Sequence, residues 1–227
     1  MNFDFDRIFS LLLAIPAFVA ALTVHEFAHA WMAVRLGDDT PRRMGRLTLD
    51  PLSHLDPIGS LVFLMSALSG FGFGWAKPVP FNPRNLDHPR RDAMLIAVAG
   101  PVSNLLQIPI WLFLLWIFRL AAGAVMPAFQ GAPDSLMQAG LMLLVQGVII
   151  NMMLAAFNMI PIPPLDGHYI LEGLGPPAVT DFFNTIRPYS FLILMGIMWY
   201  TPLVDLAISP FLTLAVRAVF FVLGVDS

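Results

Sequence analysis

His25, Glu26 and His29 stand in the pattern H-E-x-x-H, within the stretch His25-Glu26-Phe27-Ala28-His29. On a helix, residues four apart lie on the same face, one turn apart. Two imidazole nitrogens can then meet one metal ion, with the Glu26 carboxylate beside them to move protons. Such a set activates water for attack on a carbonyl. The flanks are unusual for this chemistry. Ala14-Ile15-Pro16-Ala17-Phe18-Val19-Ala20-Ala21-Leu22 precedes the motif and Ala30-Trp31-Met32-Ala33-Val34 follows it. Ionisable groups at membrane depth are costly unless something compensates them, and a bound dication is the simplest compensation.

A catalytic zinc site needs a third protein ligand and an open position. The chain has no cysteine, so any metal must be held by nitrogen and oxygen. Asp166 is the strongest candidate for the third ligand. It follows the proline-stiffened run Pro161-Ile162-Pro163-Pro164-Leu165 and precedes Gly167. His168 competes with it, because imidazole is an equally suitable ligand.

The composition sets the medium. The 227 residues are 58% hydrophobic and 12% charged, with a mean hydropathy of +0.76. Soluble domains carry about a quarter charged residues, so the chain reads as an all-α polytopic membrane protein. A net charge of −3 and the lack of a basic tract speak against nucleic-acid binding. The N-terminus lacks the basic start of a signal peptide, since Asp4, Asp6 and Arg7 precede its apolar run. It is read as a retained membrane helix.

The motif helix, 8–36, would reach about 43 Å, longer than the ~30 Å hydrocarbon core. Further spans are expected at 93–120 and 136–160, and two shorter ones within 188–225. That makes about five transmembrane helices. The segment 57–83 is apolar but short and rich in glycine and proline, and it reads as a re-entrant stretch or β-hairpin. Gly70-Phe71-Gly72-Phe73-Gly74-Trp75 alternates glycine with aromatics, and Lys77-Pro78-Val79-Pro80 cannot be helix interior. The core is placed at 8–167 and the C-terminal membrane segments at 188–225, all in one membrane-embedded domain covering 1–227.

Arg42, Arg43, Arg46, Lys77, Arg84, Arg90 and Arg91 gather in the loops on either side of 57–76. Positive charge marks the cytoplasmic side of a membrane protein. Both loops are therefore expected there, with the site in the cytoplasmic half of the cell membrane. His54 and His88, in the same loops, are expected to be solvated.

With these motifs in order, the chain resembles the site-2 protease family of intramembrane zinc metalloproteases. Members carry H-E-x-x-H in one membrane helix and N-x-x-P-x-P-x-L-D-G in a later one. The second motif appears in full as Asn158-Met159-Ile160-Pro161-Ile162-Pro163-Pro164-Leu165-Asp166-Gly167, and Gly100-Pro101-Val102-Ser103-Asn104 supplies the family's G-P-x-x-N between them. The chain lacks room for the PDZ or CBS domains that other members carry, and resembles a small form. The resemblance implies one Zn2+ per chain held by His25, His29 and Asp166, with Glu26 as general base. It implies a transmembrane protein or peptide as substrate, cut in or beside its membrane segment, with the lipid bilayer as surroundings. Asn104 and Asn158 are candidates for stabilising the oxyanion or holding the substrate strand; for Asn104 the alternative is a hydrogen bond between helices. The Gly70–Phe81 stretch could present an edge to an extended substrate.

The competing reading is a polytopic metal or solute transporter, which would also have intramembrane histidines and broken helices. A transporter has no special need for a glutamate directly after its first ligand, and no internal repeat stands out. The oligomeric state is not written in the sequence.

Overall fold

A computed structural model describes residues 5–68, 74–125 and 134–225. Among these residues the structure is helical, with a single isolated β-bridge between Leu55 and Ala76. The helices are α1 (Phe5–Arg35), α2 (Thr40–Arg43), α3 (Pro57–Leu68), α4 (Pro89–Val125), α5 (Asp134–Asn158), α6 (Gly167–Leu174), α7 (Pro177–Ile186), α8 (Ser190–Tyr200) and α9 (Leu203–Leu223).

Four of the described helices, α1, α4, α5 and α9, contain stretches long and apolar enough to cross a membrane. The C-terminal region thus provides one such helix where two were expected. The 11 residues of α8 would extend only about 16 Å, half the hydrocarbon core. The chain is a multi-pass membrane protein.

The centre is a triangle of α1, α4 and α5. Small residues allow the close approach. Ala17 and Ala21 of α1 are fully buried against Ile150 of α5. Where hydrocarbon surrounds the helices, such small-residue faces let backbones pack tightly. On the far side, Ala215 and Val219 of α9 close over Ile108, Leu115, Val148 and Met152 of α4 and α5. α8 lays Leu194 and Met195 on Leu165, backing the proline-rich turn that follows α5.

The 57–76 stretch is helical over Pro57–Leu68, not strand. Gly70 to Phe73, where the hairpin is expected, lie outside the described residues. The two ends of the segment meet: Leu55 pairs with Ala76, and Lys77 N–H donates to the His54 carbonyl at 2.9 Å. Gly59 and Gly74 make this possible, because a Cβ at Gly59 would strike the Trp75 backbone and one at Gly74 would strike Phe63. The basic loops are also joined. Asp38, fully buried, accepts hydrogen bonds from Asn82 N–H at 2.6 Å and from Asn85 Nδ2 at 2.7 Å. His54 is fully buried rather than solvated, its Nε2 bonded to the Thr48 carbonyl at 2.8 Å. His88 is exposed, as its loop position suggests.

Candidate metal centre

His25, Glu26 and His29 occupy the inner face of α1 and are all buried. The ring of His25 turns its Nδ1 to the Asn104 side chain at 2.6 Å, and His29 turns its Nδ1 to the Ile96 carbonyl at 2.7 Å. Both partners lie on α4. Both Nε2 atoms therefore turn toward each other, 3.0 Å apart. Asp166, from the turn between α5 and α6, brings its Oδ2 to 3.3 Å from each of them.

The tautomers follow from the hydrogen-bond chain. A backbone carbonyl can only accept, so His29 carries its proton on Nδ1. Asn151 donates Nδ2 to the Gly147 carbonyl at 2.8 Å, which leaves its Oδ1 to accept from Asn104 Nδ2 at 2.9 Å. Asn104 Nδ2 also donates to the Ala21 carbonyl at 3.2 Å. Asn104 must then present its oxygen to His25, and His25 also carries its proton on Nδ1. In the neutral ring, the form that binds a metal, each Nε2 is consequently a bare lone pair. Two imidazole lone pairs and a carboxylate oxygen converge with no proton between them, and Asp166 Oδ2 is buried without a hydrogen-bond partner.

Three converging acceptors repel one another unless a cation lies among them. Ligands about 2.0–2.1 Å from a tetrahedral zinc ion stand about 3.3 Å from one another. The separations of 3.0 to 3.3 Å match that requirement. The donor set, two nitrogens and one oxygen, is that of a hydrolytic zinc site with room for further ligands.

Gly100 completes the cradle. A methyl group there would overlap both imidazole rings, so α4 can lie against them only with glycine at this position. Gly167 has the same function behind Asp166, where a Cβ would collide with the carbonyls of Met159 and Ile160.

The other sequence candidates separate clearly. His168 is buried away from the cluster, with Nδ1 2.5 Å from the Leu165 carbonyl and its ring against Tyr169 and Phe183. Asn104 is fully buried with both ends of its amide committed, so it cannot also donate to an oxyanion or a substrate strand in this arrangement. Asn158 is half-buried and donates Nδ2 to the Leu154 carbonyl of its own helix at 3.0 Å. Glu26 makes no hydrogen bond to a described residue. Asn151 is the member that sequence reasoning missed. It is an asparagine in the middle of an apolar span, and that polarity alone could have drawn attention to it.

Over 194 residues the chain is 38% identical to a Bacillus subtilis protein named "Putative zinc metalloprotease YwhC", covering 86% of this chain and 83% of the relative. It is 29% identical over 190 residues to "Putative zinc metalloprotease Rip2" of Mycolicibacterium smegmatis, covering 82% of this chain and 66% of that protein. The Rip2 protein of Mycobacterium tuberculosis is 32% identical over 162 residues, which span 70% of this chain and 56% of the relative. The chain therefore spans most of the Bacillus protein and between about half and two thirds of the mycobacterial ones. No family model matches the chain, and no solved structure does.

Proposed function

We propose, since the chain belongs to the site-2 protease family of zinc metalloproteases, that it is a zinc-dependent endopeptidase cutting peptide bonds in or next to transmembrane segments. The observation that carries this reading is the convergence of His25 Nε2, His29 Nε2 and Asp166 Oδ2 beside Glu26. These three residues hold one zinc ion per chain, within a single membrane-embedded domain spanning 1–227.

Zinc bound there supplies Lewis acidity toward water and toward the substrate carbonyl. Glu26, about 100° around the helix from His25, takes a proton from the attacking water as its oxygen adds to the carbonyl carbon. Glu26 then delivers that proton to the departing amine as the C–N bond breaks. Asn104 and, through it, Asn151 act on His25, not on the substrate: they fix the His25 tautomer so that its Nε2 remains a ligand. Asn158 remains free to offer its side-chain oxygen to a substrate strand. The residues following Gly74, which form no helix until Pro83, offer a backbone for an unwound substrate to lie beside.

The site lies in the cytoplasmic half of the membrane, with the basic loops on the cytoplasmic side. The junction of those loops at Asp38, Asn82 and Asn85 supports a re-entrant 57–76 segment. Single cysteines at the exposed Arg43 and Arg84 should be labelled from the same, cytoplasmic side; labelling from opposite sides would make 57–76 a crossing segment. The protease reading itself is tested with purified protein and a panel of model transmembrane peptides. Wild type should release fragments identifiable by mass, and zinc chelation or Glu26→Gln should stop it. Zinc-dependent movement of a solute across vesicles without cleavage would favour a transporter instead.

A further inference from the structure

The loop after α1 carries Arg42, Arg43 and Arg46, and these three arginines have different fates. Arg42 and Arg43 are exposed and pair with Asp39 at 2.8 and 3.5 Å. Arg46 is only 3% exposed and has no carboxylate partner among the described residues. Gly45, at φ +68°, turns the chain inward, and the Arg46 N–H closes the turn on the Pro41 carbonyl at 2.8 Å. Topology accounts for two exposed arginines. It does not account for a buried one.

A guanidinium has five N–H donors in a rigid fork. Arg46 Nη2 donates to the Lys77 carbonyl, while Nε and Nη1 are buried with no hydrogen-bond partner. Buried donors of a cation without acceptors are costly. Burial pulls the guanidinium below its ordinary pKa, and the charge of Glu26 pushes it part of the way back. Through the Lys77 carbonyl the unpartnered donors are fixed at the head of the stretch that follows, beside which a substrate strand would lie.

An unwound membrane helix has the complementary deficit. Each residue taken out of the helix leaves a carbonyl oxygen without its hydrogen bond, in a medium that offers no replacement. We propose that Arg46 is a substrate-binding residue whose Nε and Nη1 donate to a backbone carbonyl oxygen of the unwound peptide. This rests on the protease reading. A charged donor to a carbonyl is stronger than a neutral one, and the fork geometry restricts the direction from which the peptide can approach.

The test uses the full chain in detergent, with a Leu/Ala transmembrane peptide interrupted by Asn-Gly-Pro. The peptide's carbonyls around the break are replaced one at a time by thioamides, which are weaker acceptors. Binding is measured in the Glu26→Gln background, where the peptide stays intact, with and without Arg46→Gln. Arg46→Gln should weaken binding of the all-amide peptide about 10–100-fold, the range for a hydrogen bond to a charged donor. It should also erase the thioamide penalty at one position while leaving zinc content unchanged. Arg46→Lys keeps the charge and should give a smaller loss with the same erased position, and it serves if Arg46→Gln does not fold. Unchanged binding, or an undiminished thioamide penalty at every position, would overturn the proposal. Wild type and Glu26→Gln are compared for cleavage in parallel. Equal rates there would remove the protease reading, while the binding comparison still decides what Arg46 contacts.

Discussion

His25 and His29 project from the C-terminal half of a 31-residue helix, whereas Asp166 projects from the irregular stretch between α5 and α6. The histidine side of the centre is held by hydrogen bonds. Each imidazole has a partner on α4, and a chain through Asn104 and Asn151 ends on the Gly147 carbonyl. The aspartate side is held by shape. Gly167 lets the turn fold against the carbonyls of Met159 and Ile160, Leu165 packs beneath Leu194 and Met195, and Asp166 Oδ2 itself has no hydrogen-bond partner. The histidines are therefore oriented before metal arrives. The aspartate supplies the charge that the metal must neutralise.

The largest effects should come from removing donors on either side. His25→Ala, His29→Ala and Asp166→Ala should each abolish stoichiometric zinc binding and cleavage, because only two ligands remain. His168→Ala should leave the zinc in place. Zinc measured by atomic emission on the purified variants checks this, and retention by Asp166→Ala would mean that the shape-held side is dispensable.

Next in size should be Gly100→Ala. The added methyl overlaps both rings, so either α4 moves away or the imidazoles rotate. Zinc affinity should fall by at least about 100-fold, more than for loss of an outer partner. Competition with a chromophoric chelator reads the affinity directly. An unchanged value would show that α4 does not lie against the rings.

The asparagine chain should matter less, and unevenly. Asn104→Ala should lower zinc affinity about 10–100-fold through His25, and Asn151→Ala should have a smaller effect in the same direction. His29 offers no matching substitution, since its partner is a backbone carbonyl. If Asn104→Ala left zinc affinity intact but raised KM, the asparagine would be acting on substrate and not on His25.

The smallest effect lies outside the centre, at Asp38. Burial pushes its carboxyl up, but hydrogen bonds from the Thr40 side chain, Asn85, and the backbones of Asn82 and Thr40 outweigh it, so the net shift is below the ordinary 3.8. A depressed carboxylate contributes its stability in full above the ordinary value and loses it as pH falls through the lower folded-state value. Asp38→Asn should therefore reduce Tm by a few degrees at pH 7, and the gap to wild type should close below about pH 4. A gap independent of pH would place the effect in packing and not in charge.

The histidine side was legible in the sequence because helical spacing alone puts positions 25 and 29 together. Asp166 was legible because its proline-rich surroundings and depth marked it, and geometry separates it from His168 by where each side chain turns. For Asn104 the sequence leaves open an oxyanion role, a substrate contact or a hydrogen bond between helices; no pattern in a single sequence reveals that its amide is consumed by Ala21, His25 and Asn151. Arg46 was grouped with the other basic loop residues, since charge counting cannot distinguish an arginine that faces water from one folded inward after Gly45. The spans at α1, α4 and α5 followed from hydropathy. Hydropathy alone could not show that α8 stops after 11 residues while α9 runs on for 21. That break depends on where Thr201 and Pro202 turn the chain.

X-ray absorption at the zinc edge tests the central claim most directly, because it reports the ligands of the bound metal without reference to activity. The wild-type protein should show two imidazole nitrogens with the remaining ligands oxygen, and the spectrum should be unchanged in His168→Ala. Three imidazoles around the zinc, or a spectrum that changes in His168→Ala but not in Asp166→Ala, would contradict the assignment of His25, His29 and Asp166 as its ligands.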